Sequence, residues 1–395
     1  MPAADARPGF ELRSGETWRD PFASYAALRD RDPVHHEAAG DFYVLTRFED
    51  VWAAAGDPAT FSSARGLTVH YDELEATGLG DAMPMVFLDP PAHTAFRRLV
   101  TKKLTPRKVE TIEPAVRAFV VDRLESARTM GSVDIVAHLF KPLPSFVVAH
   151  YLGVPAEDRP LFDRWTEAIV QAAAGGAPPV SSDPFAELLG YFAALVARRR
   201  REPASDIVSD LARLGEDDVS LARILGFAFT MVTGGNDTIT GMLAGSACLL
   251  AEHPGQRARL VADPAGIPNA VEELLRLTSP VQNLARTTTR DAAIRGVTIP
   301  AGRKVLLCYA AANRDPREFG PTAEELDVER RIAKILSFSY GTHYCIGAAA
   351  ARLEARVVLE ELLARCPEFT VDVAGGVYAR GSYVRRHERL VMRVE

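Results

Sequence analysis

The sequence predicts a mainly α-helical protein with small β-sheets. Two observations carry that expectation. Apolar residues recur at the helical period along most of the chain, and the alternating, β-branched and aromatic runs typical of strands are few, short and placed near the two ends. The composition is that of an ordinary globular protein, with 47% apolar and 25% charged residues. A length of 395 residues favours two or three domains at roughly 150 residues each. No internal repeat, low-complexity linker or compositional break divides the chain, so residues 1–395 are expected to form a single domain.

The elements follow in order. WRDPFASYAALRD (18–30) starts a helix at Asp20, with Pro21 at the first helical position. DFYVLTRF (41–48) alternates and reads as a strand. Helical stretches are expected at about 91–104, 106–129, 141–152, 184–201, 220–253, 267–278 and 347–365. Further strands are expected at 292–299, 303–309 and 368–373. AGGAPPVSSDP (174–184) reads as a mobile surface loop between helices.

Charge and cysteine content exclude several classes. The balance of 46 basic and 52 acidic residues gives −6, unlike a general nucleic-acid binder. Four cysteines without a C-x-x-C pair argue against a disulfide framework or a structural zinc, and a cytoplasmic location fits. MPAADARPGF lacks the apolar core of a signal peptide. The longest apolar stretch, Ile224 to Val232, is far below the ~20 residues a membrane anchor needs.

Two segments stand out. The 220–253 helix, capped by Ser220 and stopped by Pro254, would run roughly 50 Å and is apolar on nearly all sides at its middle. Gly234 and Gly235 sit there, each costing up to ~1 kcal/mol of helix propensity, with Asp237 and Thr238 following. A Thr238 hydroxyl bond to the Gly234 carbonyl would bend the helix. Two readings stay open: a kink where another helix crosses closely, or a groove for a small polar ligand. The second segment, LSFSYGTHYCIGAAAARLEAR (336–356), brackets Cys345 with Gly341 and Gly347 ahead of an Ala-rich helix. A sulfur at that helix start is expected to favour thiolate, as a nucleophile or metal ligand; a buried inert thiol is the other reading. The loop matches neither a P-loop nor a G-x-S-x-G elbow.

Phe338-x-x-Gly341-x-His343-x-Cys345-x-Gly347 resembles the heme-binding loop of the cytochromes P-450. Glu273-Leu-Leu-Arg276 resembles the E-x-x-R motif of that family, Gly234-Gly-Asn-Asp237-Thr238 its oxygen-activating motif, and His93-x-x-x-Arg97 its bacterial heme-side pair. The motifs occur in the family's order, and the resemblance runs from Trp18 to Tyr383. TMVTGGNDT, VEELLRLTSPV and GSYVRR are most similar to soluble actinobacterial, especially mycobacterial, members.

The resemblance implies the cytochrome P-450 fold, with the long central helix over a heme b. Cys345 would be the iron ligand, whose thiolate donation favours O–O cleavage, with Phe338 and Gly347 beside it. His93, Arg97, Arg286 and His343 would hold the propionates. Glu273 and Arg276, tied to Arg330, would be structural. Asp237 and Thr238 would deliver protons. Met85, Phe87, Phe227, Gly234 and Leu284 would face a small apolar substrate, with further contacts from 62–88, 165–190, 281–285 and the turn at Ser382 and Tyr383. The implied reaction inserts one oxygen atom from O2, with electrons passing from NAD(P)H through a reductase and a ferredoxin. RRLVTKKLTPRK (97–108), with Arg352 and Arg356, offers a basic face for an acidic ferredoxin. Azoles are expected to bind the heme. The alternatives are a peroxide-driven peroxygenase and a non-catalytic heme-thiolate sensor; the Asp237–Thr238 pair disfavours both.

Overall fold

A computed structural model describes residues 9–74, 83–174, 183–215 and 219–394. Most of the expected loop at 174–184, and parts of 62–88 and 165–190, lie outside the described residues. The central helix spans Leu221–Glu252, 32 residues, and Ser220 accepts the Arg223 N–H at its start. It is packed by the helices Pro142–Leu152, Asp183–Arg201, Ile267–Thr278 and Ala348–Arg365. Residues from all five join one core. Among the described residues, no helix is long and apolar enough to cross a membrane.

The strands form four small sheets. The largest is built from β1 (Val34–Glu37), β2 (Phe42–Leu45), β3 (Phe61–Ser62), β5 (Leu284–Thr288) and β8 (Lys304–Leu307). Its order is β1-β2-β8-β5-β3, and only β2 and β8 run parallel. A second sheet joins β4 (Ser132–Asp134), β9 (Thr370–Val371) and β12 (Val391–Arg393). Two hairpins complete the set: β6 (Ala292–Ile294) with β7 (Val297–Ile299), and β10 (Val377–Tyr378) with β11 (His387–Arg389).

Several boundaries differ from expectation. The first helix is Phe22–Arg31, with Pro21 as its N-cap rather than its first residue. The 41–48 run ends as a strand at Leu45, and Phe48 opens a further helix, Phe48–Gly56. The 106–129 stretch is broken by a tight turn, Glu110–Ile112, before the helix Glu113–Met130. The 292–299 run is a hairpin, because Arg295 and Gly296 both adopt positive φ and reverse the chain. The helices Arg159–Ala174 and Pro254–Ala262 were not expected. Nor were β1, β3, β4, β5, β10, β11 and β12, whose two to five residues give little alternation to read.

Candidate functional site

The Ala348–Arg365 helix presents its start to Cys345 through the N-cap Gly347. The Cys345 N–H donates to the Phe338 carbonyl at 2.9 Å, which closes the loop. Cys345 has accessible surface, yet burial pushes its thiol above its ordinary value. Both hold for a sulfur that faces an enclosed cleft. The Gly347 N–H, Arg97 and Arg352 act in the opposite direction and do not outweigh burial. The helix start thus acts toward thiolate and burial against it. A bound metal cation would add to the first, because coordination deprotonates a thiol. Phe338 is buried under the Arg352 guanidinium, 4.5 Å from its ring centroid.

Four basic side chains gather beside this cleft. His93 and Arg97 lie on the helix Ala92–Val100, Arg286 on β5 and His343 in the cysteine loop. The two imidazoles stand 4.3 Å apart. Arg97 donates to the Tyr344 carbonyl at 2.6 Å, and Arg286 only to the neighbouring Ala285 carbonyl. Buried His93 Nδ1 and His343 Nε2 have no hydrogen-bond partner. Burial, followed by Arg286, His93 and Arg97, pushes His343 down to about 2. Burial and Arg97 likewise lower His93. Among the described residues, none of the four makes an ion pair with a carboxylate. Arg97 and Arg286 carry charge without a carboxylate partner, and His93 and His343 offer unbonded ring nitrogens, so the cluster suits an anionic group. A heme fits: its two carboxylates match the cations, and its iron matches the sulfur.

Glu273 and Arg276 are fully buried and joined by two bonds of 2.7 and 2.8 Å. Arg276 also donates to the Asn313 and Ala323 carbonyls, at 2.8 and 2.6 Å. Arg330 reaches Glu273 at 3.2 Å and the Phe319 carbonyl at 2.8 Å. Three segments that precede the cysteine loop are thereby tied to one helix.

On the central helix the two glycines differ in their surroundings. A Cβ on Gly235 would lie 2.7 Å from Val148, so Gly235 serves a close helix crossing. A Cβ on Gly234 would meet nothing within 4 Å, so Gly234 borders open space. The Thr238 hydroxyl donates to the Gly234 carbonyl at 2.9 Å. Asp237 pairs with Arg386 at 2.9 Å. Met85 and Phe227 are buried in the main core, whereas Phe87 and Leu284 are half-buried. Sequence reasoning missed Arg386, nearly 150 positions from Asp237, and Glu272, which holds Arg352 at 2.5 and 3.0 Å. Neither carries a local signal.

The expected basic face is smaller than the sequence suggests. Arg352 pairs with Glu272, and Arg356 with Glu113 and Glu360. Lys103 pairs with Asp210, and Arg97 turns into the cleft. Arg98, Lys102, Arg107 and Lys108 stay exposed without an acidic partner among the described residues.

A helical fold with a loop cysteine near two arginines and two histidines that lack carboxylate partners fits a heme-thiolate protein. The chain belongs to the cytochrome P450 family and is a monooxygenase. The family model "Cytochrome P450" matches residues 267–375. "Cytochrome P450 130" of Mycobacterium tuberculosis is 58% identical over 395 residues, covering 98% of each chain. The "Vitamin D(3) 25-hydroxylase" of Pseudonocardia autotrophica is 35% identical over 388 residues, covering 96% of this chain and 95% of its own. A solved cytochrome P450 from Chondromyces apiculatus superposes with a TM-score of 0.85 at 32% identity, covering 96% of each chain.

Proposed function

We propose that the whole chain works as one unit that inserts an oxygen atom from O2 into an apolar small molecule, by hydroxylation or N/O-dealkylation. The observation that carries this is the Cys345 sulfur beside four basic side chains that lack carboxylate partners. In this reading the group held is heme b, with Cys345 on the iron and His93, Arg97, Arg286 and His343 on the propionates. The heme supplies oxygen activation once reduced; the protein supplies binding, water exclusion and protons. Phe338, buried beside the cysteine loop, would limit water access to the sulfur. Thr238 holds a hydroxyl at the open part of the central helix, and Asp237 relays protons toward it. The hydroxylase name of the Pseudonocardia relative supports a hydroxylation and a bulky apolar substrate. Half-buried Phe87 and Leu284 are the apolar side chains available to line the site, whereas Met85 and Phe227 are taken up by the core.

Electrons come from NAD(P)H through a ferredoxin reductase and a ferredoxin. The exposed cations Arg98, Lys102, Arg107 and Lys108 suit an acidic donor. Azoles bind by nitrogen ligation to the iron, and three buried, unpaired cysteines fit a reducing cytoplasm. The test is turnover of an apolar panel with ferredoxin, reductase and NAD(P)H, for wild type and Thr238→Ala. Wild type should form product, and the variant should consume NAD(P)H with several-fold less product. Turnover with peroxide alone, or equal coupling in the two proteins, would contradict this reading.

A further inference from the structure

Asp237 on the central helix meets its basic partner from a distant part of the sequence. Its partner Arg386 lies in the C-terminal segment just before β11, is 7% exposed, and meets the carboxylate at 2.9 Å. The approach depends on Gly241, one turn further along the central helix. A Cβ there would stand 2.6 Å from the Arg385 carbonyl oxygen and 3.2 Å from Arg386 Cβ. The segment is anchored on its other side. The Arg385 N–H donates to the Pro280 carbonyl at 2.8 Å, and the Gln282 N–H to the Tyr383 carbonyl at 2.8 Å. The Arg385 guanidinium donates to the Trp18 carbonyl at 2.7 Å. The backbone that carries Arg386 is thus fixed against the helix that carries Asp237, and the ion pair is a built contact.

We propose that Arg386 is a positioning residue for oxygen activation: it fixes the Asp237 carboxylate, so that the proton-relaying acid is the Asp237–Arg386 pair rather than Asp237 alone. This rests on the reading of Asp237 as a proton carrier.

The charges around the carboxylate support it. Burial raises Asp237 above the ordinary carboxylate range; Arg386 opposes this through charge and hydrogen bond, and Lys141 through charge. Lys141, at the start of the Pro142–Leu152 helix, is itself bound to Glu167 at 2.7 Å. Tyr383 faces the same group, and its hydroxyl is pushed up to about 12 by burial, Asp237 and Glu73. Arg386 is therefore the largest influence that opposes burial at Asp237. A carrier with a midpoint near working pH can both take up and release a proton. Loss of Arg386 would leave burial opposed by Lys141 alone and would raise the carboxyl further, which disfavours release of its proton.

The test uses the purified holoenzyme and its variants Arg386→Gln, Arg386→Lys and Asp237→Asn. The carboxylic acid stretch of Asp237, assigned by its loss in Asp237→Asn, is titrated by infrared difference spectroscopy. Arg386→Gln should move the midpoint upward by about one pH unit or more. Arg386→Lys should restore most of the shift. Product formed per NAD(P)H consumed, followed against pH, should move in the same direction. An Asp237 midpoint that is the same in wild type and Arg386→Gln would overturn the role of Arg386. A shifted midpoint with normal coupling in Asp237→Asn would instead overturn the relay and leave the pairing intact.

Discussion

Glu354 lies on the helix that follows Cys345, 3% exposed, and its Oε2 has no hydrogen-bond partner. Burial pushes it up to about 8. The Tyr151 hydroxyl is also unpartnered, and is raised by burial and then by Glu354. The folded protein therefore keeps a proton on Glu354 between 4.5 and about 8, where the unfolded chain has released it. The native state binds more protons in that window, so this group's contribution to stability falls as pH rises through it. Glu354→Gln should leave stability at pH 4 nearly unchanged. At pH 8 it should raise stability by on the order of 2–4 kcal/mol. Urea denaturation at both pH values measures this, and equal differences at the two would contradict it. The Glu273–Arg276 pair is the opposite case. Its charges are fully buried but bonded on every side, by carbonyls, by Arg330 and by each other.

The central helix shows how one element serves two neighbours with the same residue type. Gly235 and Gly241 are crossing points, against Val148 and the Arg385 carbonyl, while Gly234 borders open space. Gly234→Ala should therefore gain up to ~1 kcal/mol of helix propensity, with nothing to collide with. Gly241→Ala must displace backbone and should lose about 1–3 kcal/mol. Thermal unfolding of the two variants distinguishes these cases; a stabilised Gly241→Ala would show that the C-terminal segment does not bear on the helix. The local sequence says that a glycine is present, and only the neighbouring element says which role it has. The same holds for the helix ends. Ser220 was legible as a cap because capping is local. β3, with two residues, was not, because its pairing with β5, Phe61 with Thr288 and Ser62 with Thr287, defines it.

Across the molecule, the cysteine helix is braced by ion pairs to the Glu113–Met130 helix. Arg117 bonds Glu113, Glu360 and Glu361 at 2.7, 2.5 and 2.5 Å, and Arg365 bridges Glu361 and Glu125 at 3.0 and 2.7 Å. Arg356 joins Glu113 and Glu360. A network can contribute where single exposed pairs do not. Because Arg117 keeps about a third of its side chain exposed, Arg117→Met should cost only about 1–2 kcal/mol. The loss should shrink in 1 M salt, where the Debye length is about 3 Å. Chemical denaturation at low and high salt reads both numbers, and a loss independent of salt would mean that packing, not charge, holds the two helices. The same pairs remove Arg356 from the basic face that the linear sequence presents.

The sequence by itself determined the helical class, the central helix and its cap, the cysteine loop, and the residues that resemble the family's heme and oxygen motifs. Periodicity, caps and motifs are short-range properties, carried by residues within a few turns of one another. The tertiary structure alone decided which cations lack acidic partners, which glycine meets a neighbour, and that Arg386 rather than any nearby residue answers Asp237. It also set burial against the helix start at Cys345. Burial, charge pairing and close approach depend on segments far apart in the chain, and they acquire values only when the fold brings those segments together.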